Sequence, residues 1–103
     1  MTYKVAMSAR ATRQVQRIYD YIADNASTAT AERFVSDLLE YCYGFDLFPV
    51  RGIARDDIRP GVRMVGFKRK ASIAFSVKAD TVTIVAVFYR GQNYDDTLSI
   101  GEP

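Results

Sequence analysis

The alternation of apolar and polar positions predicts a strand, two helices and three further strands. Residues 2–7 alternate with a period of two, as a short strand does. Apolar residues then recur every three or four positions in residues 9–24 and from Ala31 to Phe45, which predicts two amphipathic helices. Only the polar residues 25–28 separate them, so we expect the two helices to pair as an antiparallel hairpin.

Residues at the ends of these segments predict where each helix begins and ends. Ser8 is suited to cap the first helix, and Ser27 or Thr28 can cap the second. The second helix should end near Phe48, because Pro49 disfavours helical geometry in the residue before it.

Three strands are predicted in the second half of the chain. A loop over residues 49–61, rich in glycine and proline, leads to strands at 62–67, 71–78 and 81–89. The last two strands are separated only by Ala79-Asp80, which predicts a tight hairpin. The last strand is mostly β-branched and apolar throughout, so it should be central and covered on both faces.

The length and the order of these elements predict a single α+β domain over residues 1–103. The chain has 103 residues, of which 49% are hydrophobic and 25% charged, as in an ordinary folded domain. The predicted order is β-α-α-β-β-β, with an N-terminal strand and a helical hairpin packed on a small, mainly antiparallel sheet.

Composition argues against most sites of hydrolytic chemistry. The chain has no histidine and one cysteine, Cys42, so the usual triads and a structural zinc site are not expected. Cys42 lies in the apolar stripe of the second helix and is predicted to be a buried structural thiol. Asp56-Asp57 and Asp95-Asp96 are weak candidates for a metal site, and no Gly-rich phosphate motif is present. We therefore expect no metal and no cofactor.

The chain also shows no targeting signal. It has no signal-peptide pattern and no apolar run of about 18 residues. These features predict a cytoplasmic protein with no membrane partner.

Positive charge is concentrated in residues 51–70. The net charge is only +2, yet this segment carries seven basic side chains against Asp56 and Asp57. Such a zone is suited to nucleic acid or to an acidic protein, with an ordinary solvated loop as the alternative. The seven basic residues are Arg51, Arg55, Arg59, Arg63, Lys68, Arg69 and Lys70.

One catalytic route needs no histidine. Cleavage of RNA by its own 2′-hydroxyl requires a proton acceptor and cations near the phosphorane. Arg63, Lys68, Tyr89 and Arg90 would supply these groups if they shared one face of the sheet. The alternative is structural: Arg63 holds a loop, Lys68-Arg69-Lys70 is a solvated turn, and Tyr89 ends a strand.

Short motifs follow one another in a fixed order along nearly the whole chain. They are Ser8-Ala9-Arg10-Ala11, Tyr21-Ile22, Ala31-x-Arg33-Phe34, Phe48-Pro49…Gly52…Arg55, Gly61-x-Arg63, Ile73-Ala74-Phe75 and Val85–Tyr89 running into Gly91-Gln92-Asn93-Tyr94. In this order they resemble the RelE/ParE superfamily of toxins from bacterial toxin–antitoxin modules.

The resemblance implies one of two activities. RelE-like toxins cut messenger RNA on the ribosome, whereas ParE-like toxins bind and poison DNA gyrase without chemistry of their own. The closing segment FYRGQNYDDTL is similar to ParE endings, although Arg90 precedes the glycine and Asn93 stands where an acidic residue is usual. We therefore expect a ParE-like gyrase inhibitor, with a RelE-like ribonuclease as the alternative. A third possibility is a non-toxic member retained for antitoxin binding and operator regulation.

The resemblance also implies partners and binding residues. A cognate ParD-like antitoxin should form a hetero-oligomer with the toxin, and DNA should be contacted only through that antitoxin. The residues expected to bind the target are Arg63, Lys68, Arg69, Lys70, Tyr89, Arg90 and Tyr94. Those expected to bind the antitoxin are Tyr19, Tyr41, Arg51, Arg55 and Arg59. The tyrosine pairs 19/21 and 41/43 are spaced by two, so neither pair can lie on one helix face, and some of these rings should be exposed.

Overall fold

The computed structural model describes residues 2–47 and 49–90 as two helices on one face of a five-stranded sheet. The fold is of the α+β class, as predicted, and its sheet is mixed. Its elements are β1 (Lys4–Met7), α1 (Ala9–Asn25), α2 (Thr28–Tyr43), a 3-10 turn (Gly44–Asp46), β2 (Ile53–Ala54), β3 (Val62–Phe67), β4 (Ala71–Lys78) and β5 (Thr81–Tyr89).

Both helices begin at the predicted serine caps. The Ser8 hydroxyl accepts a hydrogen bond from the Ala11 amide at 3.0 Å. The Ser27 hydroxyl accepts one from the Thr30 amide at the same distance. Each bond satisfies an amide that the first turn of a helix leaves without a backbone partner. The caps therefore fix the first residues of the two helices, Ala9 and Thr28.

The end of α2 was predicted wrongly. The α-helix ends at Tyr43 rather than near Phe48, and a 3-10 turn follows it. Gly44 is a poor helix former, and the tighter turn places the Phe45 ring wholly inside the core. The Asp46 carbonyl then accepts a hydrogen bond from the Tyr3 amide at 2.8 Å. The turn is thereby joined to the start of β1.

The sheet has the strand order β1-β5-β4-β3-β2. β1 runs parallel to β5 and the other pairs are antiparallel, so the mainly antiparallel sheet is confirmed. The bounds of β3, β4 and β5 coincide with the predicted ones. β2 was missed, because the sequence analysis assigned its two residues to a loop. Ile53 pairs with Met64 and Ala54 with Arg63, which extends the sheet by one edge strand.

β5 contains one residue more than its partner β4. Ala74 pairs with Ala86 while Phe75 pairs with Ile84, which leaves Val85 as a bulge. The bulge turns Val85 and Ala86 toward the same sheet face, away from the helices. Alternation then resumes, with Val87 toward the helices and Phe88 away from them.

The core lies mainly between the helices and the sheet. Ala31, Phe34, Leu38, Cys42 and Phe45 are buried along the predicted α2 stripe, and they pack against the helix-facing side of the sheet. Burial raises the pKa of the Cys42 thiol to about 12, so this thiol is neutral and structural, as predicted. A smaller cluster lies on the opposite sheet face around Val62, Ala74, Val85, Ala86 and Phe88. Within the part of the chain that the structure describes, neither helix is long and apolar enough to cross a bilayer.

Candidate binding surfaces

The turn between β3 and β4 places two basic residues in an unusual backbone conformation. Lys68 and Arg69 have φ angles of 52° and 57°, and the Lys70 amide donates to the Phe67 carbonyl at 3.0 Å. A β-turn with positive φ at both central residues favours Asn-Gly, because other residues are strained at positive φ. The left-handed conformation costs roughly 1–2 kcal/mol for a residue with a Cβ.

The turn directs its basic side chains to two different places. Lys68 reaches toward α2, where its ammonium lies 2.6 Å from an Asp37 carboxylate oxygen. Arg69 and Lys70 instead line a shallow depression of about 320 Å³ together with Arg90, whose amide donates to the Lys70 carbonyl at 2.7 Å. Gly66, Ala71 and Ser72 complete its lining.

Arg69, Lys70 and Arg90 are hereafter the basic cluster. All three residues are exposed. Among residues 2–47 and 49–90, no carboxylate forms a salt bridge with any of them. The cluster therefore presents three positive charges to solvent at the end of the sheet.

A separate groove lies between α2 and the β2–β3 edge of the sheet, with a volume of about 430 Å³. The Arg51 guanidinium lies 4.7 Å from the centroid of the Phe45 ring and 5.6 Å from that of Tyr41. Acidic and basic side chains are both present, so the groove has mixed charge. We call it the α2–β3 groove; its lining is Asp37, Glu40, Tyr41, Gly44, Arg51, Phe67 and Lys68.

Apolar side chains are exposed in the chain segment beside this groove. Tyr43, Leu47, Val50 and Ile53 are between 51% and 73% exposed, and they are the large hydrophobic residues that stand out to solvent in the described ranges. We call these four residues the apolar rim. Exposure of Leu47, Val50 and Ile53 was not predicted, although Val50 and Ile53 are apolar residues without periodicity in the Gly- and Pro-rich loop, which was a usable signal.

Comparison with known proteins identifies the family. Residues 5–94 match the family model of the ParE toxin of the type II toxin–antitoxin system parDE. The chain belongs to the ParE toxin family. It is thus the toxin of a type II toxin–antitoxin module, of the ParE-like kind. No curated protein sequence matches it.

Two solved structures share the fold of this ParE-type toxin. One, from the chromosomal ParDE system of P. aeruginosa, is 23% identical with a TM-score of 0.74, and the match covers 84% of this chain and 95% of that one. The other, from the RelBE2 toxin–antitoxin complex of Mycobacterium tuberculosis, is 14% identical with a TM-score of 0.65, and covers 87% of this chain and 100% of that one. At these identities the similarity concerns the fold.

The four residues considered for RNA cleavage do not converge in this ParE-type toxin. The Arg63 guanidinium donates to the Arg51 carbonyl at 2.8 Å and to the Gly52 carbonyl at 3.1 Å, so it holds the loop before β2. Arg63 lies opposite Phe75, whereas Tyr89 lies opposite Ala71. These positions on β4 are four residues apart, or about 13 Å. Lys68 turns toward α2 and Arg90 belongs to the basic cluster, so the four groups do not come together at one site.

Tyr89 is also poorly suited to accept a proton. Its ring centroid lies 5.3 Å from that of Phe34 and 5.7 Å from that of Tyr21. Burial, and secondarily the neighbouring Tyr21, raise the pKa of the Tyr89 hydroxyl. The aromatic contacts make Tyr89 part of the packing between sheet and helices, where its side chain is partly exposed.

The residues predicted to bind the antitoxin are divided between separate places. Tyr41 and Arg51 meet in the α2–β3 groove, whereas Tyr19 lies on α1, partly buried against the core. Arg55 pairs with Asp57 at 2.9 Å, and this ion pair raises the pKa of Arg55 and lowers that of Asp57. Arg59 lies in the same turn, where its amide donates to the Arg55 carbonyl. Of the four helix tyrosines, Tyr43 is the exposed one, and Tyr94 lies outside the described residues.

Of the two aspartate pairs considered for metal binding, Asp56-Asp57 makes other contacts. The Asp56 carboxylate accepts a hydrogen bond from the Gly61 amide at 2.9 Å, and Asp57 pairs with Arg55. Asp95 and Asp96 lie outside the described residues. Within the described ranges, no three acidic, cysteine or histidine side chains come together as a metal site would require.

Proposed function

We propose that this ParE-type toxin inhibits DNA gyrase by binding to it, and that a ParD-like antitoxin neutralises the toxin. The family match over residues 5–94 is the observation that carries the proposal. The engagement of Arg63 and Tyr89 in structural contacts supports an action by binding rather than by catalysis.

The antitoxin is proposed to lie on the α2–β3 groove and the apolar rim. The rim exposes four large apolar side chains within a short chain segment, and exposed apolar surface is typical of protein interfaces. The groove adds Tyr41 and Arg51, two residue types enriched among interface anchors. An antitoxin segment that is apolar over the rim and of mixed charge over the groove would complement both.

A cleavage assay tests the target. Purified toxin, separated from its antitoxin, is incubated with gyrase and supercoiled plasmid, and messenger RNA from a translating lysate containing the toxin is mapped in parallel by primer extension. Protein-linked cleaved plasmid with intact messenger RNA is the expected result. Codon-positioned cuts in the messenger RNA with unaffected gyrase would instead show a RelE-like ribonuclease. No effect in either assay would show a non-toxic member that serves antitoxin binding and operator regulation.

A substitution in the apolar rim tests the antitoxin surface. Val50→Asp/Ile53→Asp should escape neutralisation by the antitoxin encoded in the same module while it retains toxicity, because both side chains already stand in solvent. Ala29→Asp is the matched control, since Ala29 is exposed in the first turn of α2, where an acidic side chain is tolerated. Neutralisation of the double variant as complete as that of the control would remove the rim from the interface.

A further inference from the structure

We propose that the basic cluster binds the phosphate backbone of duplex DNA. The proposal deepens the proposed function, because duplex DNA is what gyrase holds and cleaves. DNA binding is measured with the toxin alone, so the inference can fail while gyrase inhibition stands.

A strained turn presents Arg69 and Lys70 of the cluster. Lys68 and Arg69 occupy two consecutive left-handed positions where Asn-Gly would be less strained. Strain of this kind is found where the side chain itself is needed, and it persists because the surrounding structure holds it in place. Lys68 forms an ion pair with Asp37, which leaves Arg69 as the strained residue without such a structural partner among the described residues.

The side chains that line the depression are suited to phosphate. Two arginines and one lysine line it, together with Ser72, which carries a hydroxyl. Guanidinium groups bind phosphate oxygens through two parallel hydrogen bonds, and a lysine adds a compact charge. The backbone bond from the Arg90 amide to the Lys70 carbonyl holds the two chain segments together. The three cations therefore stay adjacent without being neutralised by described carboxylates.

The lining of the depression favours duplex over single-stranded nucleic acid. Proteins that bind single strands stack the bases on exposed aromatic rings. No aromatic residue lines this depression in the described part of the chain. Phe88 lies opposite Ser72 but is buried, and Tyr89 packs on the helix-facing side. A surface with cations and no stacking platform contacts phosphates and leaves the bases unread, as in sequence-independent duplex binding.

This inference departs from the expectation that DNA is contacted only through the antitoxin. The reason is spatial. Charge along residues 51–70 is continuous in sequence, but the fold removes Arg51, Arg55, Arg63 and Lys68 to other contacts. Arg59 lies apart in the turn with Arg55, and Arg69 and Lys70 are left beside Arg90, with no salt bridge to a carboxylate among the described residues.

Fluorescence anisotropy of a short labelled DNA duplex, titrated with the full-length toxin at several salt concentrations, tests the proposal. The affinity should fall with salt with a log–log slope of about −2 to −3, as expected for three phosphate contacts. Arg69→Glu/Lys70→Glu should weaken binding at least about 10-fold at low salt. A conservative Arg69→Gln/Lys70→Gln variant should show a smaller loss in the same direction.

Lys4→Glu/Lys78→Glu is the matched control, because it makes the same change in net charge on the same molecule. Both lysines are exposed and lie opposite Thr81, at the other end of the sheet from the cluster. It should retain affinity within about 3-fold. An equal loss in both double variants would show a general effect of net charge and overturn the proposal.

Two further outcomes would also overturn it. Tighter, cluster-dependent binding of a single-stranded RNA of equal length would assign the surface to RNA. The second outcome is that the natural toxin binds no DNA while Arg69→Glu/Lys70→Glu loses gyrase inhibition. That combination would show that the cluster contacts gyrase itself, and the proposed function would stand. Antitoxin binding and the urea midpoint, which should be unchanged in every variant, serve as folding controls.

Discussion

The side-chain oxygen of Gln14 accepts a hydrogen bond from the Val87 amide at 2.7 Å. Gln14 is the polar residue buried in the described core, and it joins α1 to β5 just beyond the bulge at Val85. β1 pairs with β5 only as far as Ile84, so the Val87 amide has no strand on that side to bond to. The glutamine therefore takes the place of a strand partner where the sheet irregularity begins.

Removal of this bond should destabilise the toxin measurably. Gln14→Met keeps the volume and removes the acceptor, so the buried Val87 amide loses its partner; we expect the free energy of unfolding to fall by about 1–3 kcal/mol. Urea denaturation measures the change. Gln16→Met is the control, because Gln16 is exposed on the same helix and its side chain donates to Asp20 at 3.2 Å. A change in Gln14→Met no larger than that of the control would show that the bond has little effect.

The elements bounded by strong local signals were predictable from sequence. The serine caps at residues 8 and 27 and the breaks at 68–70 and 79–80 each act within a few residues, and the corresponding helices and strands begin or end where predicted. Ala79 indeed adopts φ 56° in the tight β4–β5 turn. Signals of this kind predict structure well because a cap or a turn depends only on residues a few positions apart in the sequence.

Features that depend on distant contacts were not predictable. β2 forms where two residues pair with the edge of β3. The bulge lies in β5 just after the pairing with β1 ends, while the pairing with β4 continues. Strict alternation would have placed Ala86 and Phe88 on the side of Ile84, whereas the bulge moves them to the other face. Whether Arg63, Lys68, Tyr89 and Arg90 come together was equally beyond prediction, since proximity in sequence does not fix how far apart two residues lie along neighbouring strands.

Gly52 should be essential for the edge strand. It has φ 73°, and a Cβ at this position would lie 2.1 Å from the Met64 carbonyl oxygen. Gly52→Ala should therefore lower the free energy of unfolding by more than the roughly 1–2 kcal/mol of left-handed strain alone, and it should disturb the bond from Arg63 to the Gly52 carbonyl. Gly66→Ala is the control, because no atom lies within 4 Å of its added Cβ. Thermal and urea unfolding of both variants would decide; equal stability would contradict the close approach.

The Cys42 thiol should make the stability depend on pH in the alkaline range. Its pKa is about 12 in the folded chain, against the ordinary 9.0 of an exposed thiol. Between these values the unfolded thiol loses its proton and the folded thiol retains it, so the stabilisation is complete below pH 9 and declines as pH rises, by up to about 1.4 kcal/mol per pH unit. The fall between pH 9 and 10 should be shallower in Cys42→Ala. At pH 8 the native thiol should resist a thiol-specific reagent and react fully in urea; rapid native labelling would contradict its burial.

Substitutions that relieve the strain in the β3–β4 turn should raise the stability of the toxin and lower its activity. Lys68→Asn/Arg69→Gly places residues suited to positive φ at both positions, and we expect the free energy of unfolding to rise by about 1 kcal/mol. Loss of the exposed ion pair between Lys68 and Asp37 offsets this by less than about 1 kcal/mol. Gyrase inhibition and duplex binding should both decline, because Arg69 leaves the basic cluster. Lys68→Asn alone is the control, since it removes part of the strain and keeps the cluster. A double variant that is more stable and fully active would show that the strain serves no function.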